Sequence, residues 1–297
     1  MSHPSIEQAE PEKPLPKICI VRSSDSDFSD IRNLLSRMFA DAAASFYVGR
    51  QLAVRDLYST YRQSILGFLW ILLPPLVTTA LWLGLNQAGI AKVYTAGLPY
   101  AIFLTAGTLL WTLFTDALNS PRSQVAANMA TLGTVNFPPE AVLVSGLIQL
   151  LVNFGVRLSI LIAMLFWFRC DISAWIPMYL AFAVIVIGLG LVAGMLIVPF
   201  AVLYRDVGQT IGLVLPLFMY VTPVVYSLPE QGILRWLMLL NPLTYPIEGA
   251  RLSLFSYPGH LNLGICLGMI PLLLLGLLAV WMIFRITLPY LIERSSG

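Results

Sequence analysis

Charge is scarce in this chain. Of 297 residues, 11% are Asp, Glu, Lys or Arg and 58% are hydrophobic, where an ordinary soluble domain carries about 25% charge. With a mean hydropathy of +0.81, that composition excludes a water-soluble globule and describes a multi-span helical membrane protein. Lysine is nearly absent: Lys13, Lys17 and Lys92 are the three, and none follows a glycine. A Walker A loop is therefore missing, and the chain cannot cradle ATP phosphates in that way. Cysteine is limited to Cys19, Cys170 and Cys266, far apart and without C-x-x-C spacing, which excludes a disulfide framework and a zinc site. The two histidines, His3 and His260, have no ligand partners at metal-binding spacing. No G-x-S-x-G elbow and no close carboxylate pair is present, which argues against an enzyme. A formal net charge of +2 gives no footprint for nucleic acid. The first 17 residues are polar and lack an apolar h-region, so the expectation is no signal peptide and a retained first span.

What is there is organised around Arg55 to Leu76, RDLYSTYRQSILGFLWILLPPL. Up to Gln63 this stretch is charged and hydroxylated. From Ile65 to Leu85 it carries no charge, and that run is long enough for a bilayer core, which takes about 20 helical residues. On a helix Val54, Leu57, Tyr58, Tyr61 and Ile65 share one face, and Arg55, Ser59, Arg62 and Gln63 another. Such a helix lies in the interface, its arginines toward anionic headgroups or a soluble partner. An ordinary juxtamembrane basic collar has the same look.

Three regions follow. Residues 1–29, rich in Pro, Ser and charge, read as a disordered cytosolic arm. Residues 30–63 read as cytosolic and interfacial amphipathic helices, with Ile31, Leu34, Leu35, Met38, Phe39, Ala42 and Phe46 at helical spacing and a break at Gly49. Residues 64–297 read as a six-span transmembrane domain. The spans are Ile65–Leu85, with the kinking pair Pro74-Pro75, then Tyr100–Leu118, Ala141–Phe168, Trp175–Leu203, Val207–Val225 and Leu261–Phe284. Between the second and third lies the polar segment Asn119–Glu140. Gly190 and Gly194 form a small-xxx-small pair for close helix packing. Tyr226–Pro258 is too interrupted by proline to span, and reads as two re-entrant half-helices, tolerated where protein or a water-filled cavity surrounds them. The fold class is thus all-α integral membrane, with an amphipathic interface helix before span 1 and two half-helices between spans 5 and 6. Seven arginines on the terminal side (Arg50, Arg55, Arg62, Arg122, Arg205, Arg285 and Arg294) against Lys92, Arg169, Arg235 and Arg251 opposite favour cytosolic termini.

Arg157, in the middle of span 3, costs roughly 2.5–3.5 kcal/mol to insert unless it is paired or wet. It is either a polar contact in a translocation route or a structural partner of Asp116, of Glu248, or of a carbonyl freed in a broken helix. Trp70, Trp82, Trp111, Tyr220 and Tyr226 lie near span ends. They are either an interfacial belt or platforms on which sugar faces could stack.

Four fragments stand in order: Arg55-Asp56-Leu57 with Tyr61-Arg62-Gln63-Ser64-Ile65-Leu66-Gly67-Phe68-Leu69-Trp70, then Phe137-Pro138-Pro139-Glu140, Arg205-Asp206, and Asn241-Pro242-Leu243-Thr244 with Arg251. Together they resemble the permease subunits of bacterial polysaccharide and polyol-phosphate ABC exporters, the Wzm-like and teichoic-acid permeases, from about Gln51 to the C-terminus. Pro139 stands where that family commonly has arginine. The resemblance implies an inner-membrane homodimer with both termini cytosolic, working with two copies of a separate ATPase that binds ATP and Mg, and no cofactor in this chain. It implies a lipid-linked polysaccharide of the O-antigen, capsule or teichoic-acid class as cargo. Contacts coupling the ATPase would be Arg55, Arg62, Asn128, Phe137, Glu140, Arg205 and Asp206. The translocation path would include Trp70, Trp82, Trp111, Arg157, Tyr220 and Tyr226. Alternative cargoes are a small lipid or drug; a membrane-embedded enzyme acting on lipid-linked sugars is the remaining alternative.

Overall fold

The computed structural model describes residues 31–62, 67, 69–89, 99–134, 137–170, 173–255 and 259–296. Among these, every regular element is an α-helix. The chain divides into two compact units, Met1–Ala40 and Asp41–Gly297. The described part of the first is the opening of a helix; the bundle and its polar sites lie in the second. The arm expected over 1–29 and the loop holding Lys92 lie outside the described residues.

Helix α1, Ile31–Arg62, runs without interruption through Gly49, so the expected break is absent. A Cβ at Gly49 would stand 2.7 Å from the Ala141 carbonyl oxygen and from Val144 Cβ. The glycine permits close approach to the start of α4 (Glu140–Trp167) and has no helix-ending role. Helix α2, Leu69–Gln87, carries Pro74 and Pro75 inside it.

Helix α3, Tyr100–Thr134, has 35 residues, a rise of about 52 Å against a hydrocarbon core of about 30 Å. The span expected to end at Leu118 therefore continues as the same helix through the polar residues. Its extension carries good helix formers at Ala126, Ala127 and Ala130. It buries Val125 against Val142, Val198, Phe284 and Leu288. Helix α5 is Pro177–Leu203, and α6 is Arg205–Val221. They are separated by Tyr204 alone, whose extended backbone (φ −128°, ψ 115°) ends one helix and starts the next. Two short helices follow, α7 (Ile233–Leu240) and α8 (Thr244–Ser253), joined through Asn241-Pro242-Leu243, and then the long α9 (His260–Ser296).

Among the described residues, five helical stretches are long and apolar enough to cross a membrane: Leu69–Gln87, Tyr100–Gly133, Glu140–Trp167, Pro177–Leu203 and Asn262–Ile292. The fifth expected span corresponds to α6, whose 17 residues reach about 25 Å. Helix α3 is the hub, packed on α5, α4, α2 and α8, and α5 in turn packs on α9 and α8. The glycine pair makes the central crossing close. A Cβ at Gly190 would lie 2.6 Å from Ala117 Cβ, and one at Gly194 would meet the Leu118 carbonyl. The core around this crossing takes Leu110, Leu113 and Phe114 from α3 with Phe182 and Val186 from α5. Glu140 contacts Arg285, so the end of α3, the start of α4 and the later part of α9 share one end of the bundle. Helices α7 and α8 share the other with the start of α3.

Candidate functional site

At the α3–α4 end, two neighbouring charges on α1 reach two other helices. Arg55 donates from Nη2 to Asn128 Oδ1 at 2.8 Å and from Nε to Asp56 Oδ1 at 2.8 Å. Asn128 is fully buried on α3, and its amide nitrogen donates to the Gln124 carbonyl at 3.0 Å. The second oxygen of Asp56 accepts from Gln149 Nε2 of α4 at 3.2 Å. A buried amide needs its partners supplied by protein, and here Arg55 supplies one. The structure thus brings together Arg55 and Asn128, which lie 73 positions apart.

A second knot ties α1, α4 and α9. Arg285 donates to Glu140 Oε1 at 2.9 Å and to Asp41 Oδ2 at 2.5 Å. Glu140 is buried at the first turn of α4, where the helix dipole favours a carboxylate. Its Oε2 is buried without a partner among the described residues. Phe137 packs on the adjoining apolar cluster of Val125, Val142 and Phe284. Arg62 and Asp206 are exposed, whereas the side chain of Arg205 lies outside the described residues. Arg122 donates to Asn119 Oδ1 at 3.1 Å and stands against Gly208 at the start of α6.

Farther along the bundle, Arg157 has found two of its candidate partners at once. Its Nη1 pairs with Asp116 Oδ2 of α3. Its Nε donates to the Ile71 carbonyl at 3.4 Å. Pro75 has no N–H, so the Ile71 carbonyl has lost its helical donor, and the arginine of α4 takes that place. Glu248 is engaged elsewhere, 3.6 Å from Arg251.

The aromatic residues divide. Trp70 on α2 and Tyr220 on α6 are more than half exposed, and the Tyr226 hydroxyl donates to the Tyr220 carbonyl. Trp82 packs against the main core. Trp111 is buried inside it, 5.6 Å from the Phe114 ring and 6.1 Å from that of Phe218.

At the opposite end, Arg251 of α8 is the largest fully buried side chain. Its Nη2 donates to the carbonyls of Pro223 and Val224, and its guanidinium lies 4.0 Å over the Phe103 ring. Beside it Asn241 donates to Thr222 Oγ1 at 2.8 Å, and its own Oδ1 accepts from the Leu243 N–H at 3.0 Å. The broken backbone between α6 and α8 is satisfied by these side chains, as irregular backbone within a membrane protein requires.

This arrangement has two polar ends joined by a closely packed hub, and it carries two exposed apolar faces on α2 and α6. Residues 48–255 match the domain described as ABC-2 type transporter. The chain belongs to that family. The match contains α2 to α8 and the end of α1 from residue 48, but not α9 with Arg285. Among curated proteins, an "O-antigen export system permease protein RfbA" of Klebsiella pneumoniae is 24% identical over 204 residues, covering 66% of this chain and 76% of the relative. One of the same description from Myxococcus xanthus is 26% identical over 196 residues, covering 65% and 74%. As a member of the ABC-2 type family, the chain is a multi-pass membrane protein of a transport system.

Two features escaped reading from sequence. Arg285 looks like a tail charge because the apolar run stops at Phe284, yet α9 continues and carries it back to Glu140. A set of polar residues on α3 and α4, from Asp116 to Gln149, surrounds a cavity. The signal was Asn119, Ser120, Ser123 and Gln124 recurring on one helical face, visible once the helix is extended past Leu118.

Proposed function

We propose that the chain is the permease subunit of an ABC exporter that moves a lipid-linked polysaccharide, of the O-antigen, capsule or teichoic-acid class, across the bacterial inner membrane. The supporting observation is the family match over residues 48–255, joined by relatives described as O-antigen export permeases along about two thirds of the chain. Helices α2 to α6 and α9 serve as six spans, with α6 extended through Thr222–Val225 to make up its length. Helices α7 and α8 serve as re-entrant halves on the outer side, held by Arg251. Both termini face the cytosol. With Arg251 buried rather than in a free loop, it drops out of the outer positive charge, which strengthens that orientation.

In this reading two copies face each other through the exposed sides of α2 and α6, and Trp70, Tyr220 and Tyr226 line the passage. Trp82, Trp111 and the Arg157–Asp116 pair form the wall behind them. Each copy binds one copy of a separate ATPase, which holds ATP and Mg; this chain holds no cofactor. Arg62, Asp206 and Arg205 meet the ATPase directly. Arg55, Asn128, Phe137 and Glu140 transmit its movement, because they join α1 to α3 and α4.

Co-expression with candidate ATPase subunits tests this. The expected result is a complex recovered in equal numbers of the two chains, weakened by Arg62→Glu or Asp206→Arg. Recovery of the chain always alone, from cells that carry out the export, would contradict it. Transport of a small lipid but of no polymer by the complex would favour the narrower cargo.

A further inference from the structure

Between the Arg55–Asn128 network and the Arg157–Asp116 pair, α3 and α4 enclose an open cavity of about 180 Å³. Asp116, Asn119, Ser120, Ser123, Gln124 and Gln149 line it. It has room for on the order of ten waters and is too polar to stay dry. Its wall holds one carboxylate among carboxamides and hydroxyls. Asp116 commits one carboxylate oxygen to Arg157 and keeps the other. Gln149 spends its amide nitrogen on Asp56 and Ser145, and among the described residues its carbonyl oxygen accepts nothing. The Ser123 hydroxyl donates to the Ser120 carbonyl at 3.0 Å and keeps its lone pairs. Among the described residues, no cation and no aromatic ring lines it.

A polar wall with a carboxylate repels phosphate and offers nothing to stack on, but its mixed acceptors and amide donors satisfy a ligand that brings many hydroxyls, which both donate and accept. We propose that this cavity seats one neutral, hydroxyl-bearing sugar ring of the exported chain as it leaves the cytosolic side. The proposal rests on the export reading above. The lipid phosphate stays outside the cavity, and the ring is recognised by hydrogen bonds from its hydroxyls to Asp116 and Gln149. The volume admits a single ring, so the cavity is a loading seat at the side of the passage and does not carry the polymer itself.

Ser123 is exposed at the cavity mouth, so its replacement leaves the packing untouched. The test uses S123C in a chain whose Cys19, Cys170 and Cys266 are changed to serine or alanine, assembled with its ATPase in nanodiscs. A small polar maleimide reports access to the introduced thiol. The probes are a polyprenyl diphosphate carrying an oligosaccharide and the same polyprenyl diphosphate without sugar. With probe at about ten times its half-saturating concentration, the sugar-bearing lipid slows labelling about tenfold, and the bare lipid leaves the rate unchanged. Equal protection by both overturns the proposal in favour of a phosphate or lipid site. Protection by neither, in a preparation that translocates sugar, overturns it in favour of a water-filled vestibule. An unaltered complex that translocates no sugar overturns the export reading, and the seat with it.

Discussion

Replacing Arg251 with methionine should loosen one end of this molecule far more than the rest. The arginine is buried to 2% exposure on α8, bonds the Pro223 and Val224 carbonyls and covers the Phe103 ring at 4.0 Å. Hydrogen bonds to a charged group contribute about 1.5–3 kcal/mol each, and a desolvated cation–π contact about 2 kcal/mol. Against these stands the desolvation of the guanidinium itself, several kcal/mol. Removing one partner from a buried charged set leaves the others stranded, here two carbonyls and Glu248, and costs about 3–5 kcal/mol net. Local opening of α7 and α8 should become about 100- to 4,000-fold more frequent, since each 1.4 kcal/mol is a factor of ten. Hydrogen exchange in detergent micelles reads this directly, with amides of α7 and α8 accelerating and those of the α3–α5 crossing unchanged. Arg251→Lys should recover part of the loss, because a single ammonium cannot hold both carbonyls and cover the ring in the same geometry. Exchange in α7 and α8 within threefold of the wild-type rate would refute the reasoning.

Three other outcomes are expected. Arg157→Met and Asp116→Leu should each lower unfolding stability in micelles, and the double variant should lose less than the sum, with a coupling of about 1–3 kcal/mol; strict additivity would mean that the pair does not interact. Gly194→Leu should cost at least about 1–3 kcal/mol by overpacking against the Leu118 backbone, whereas Gly84→Leu, which meets nothing within 4 Å, should stay within about 0.5 kcal/mol of the wild type in the same melt. Arg285→Met should cost about 3–5 kcal/mol by stranding buried Glu140, and adding Glu140→Gln should return part of it; a silent Arg285→Met would remove the knot between α4 and α9.

Much of the bundle was legible because long apolar runs and proline interruptions are local signals. The uncharged stretch from Leu69 on is one apolar helix, the Gly190/Gly194 pair makes a close crossing, and the segment broken around Asn241-Pro242 holds two short helices. That the polar half of α3 continues the same helix was not legible, since a hydropathy window registers loss of apolar character at Leu118 and not loss of helix. Arg157 shows a similar limit. Its position required a partner, and three were compatible. Choosing among them depended on the crossing of α4 with α2 and α3, which no local pattern encodes. Glu140 is legible as a charged residue at a helix start, but its burial depends on Arg285, 145 positions away. In the fragment Phe137–Glu140, which reads as a docking surface, Glu140 is turned inward against Arg285.

The central claim is that this chain is a conduit subunit driven by an ATPase carried on another polypeptide. The most direct measurement is translocation of a lipid-linked oligosaccharide in proteoliposomes, read by access of an external lectin to the sugar. The account predicts sugar transfer when chain, ATPase and ATP are all present, and none when any one is withheld. Transfer by the chain without the ATPase, or an ATPase complex that hydrolyses ATP and moves no lipid-linked sugar, would contradict it.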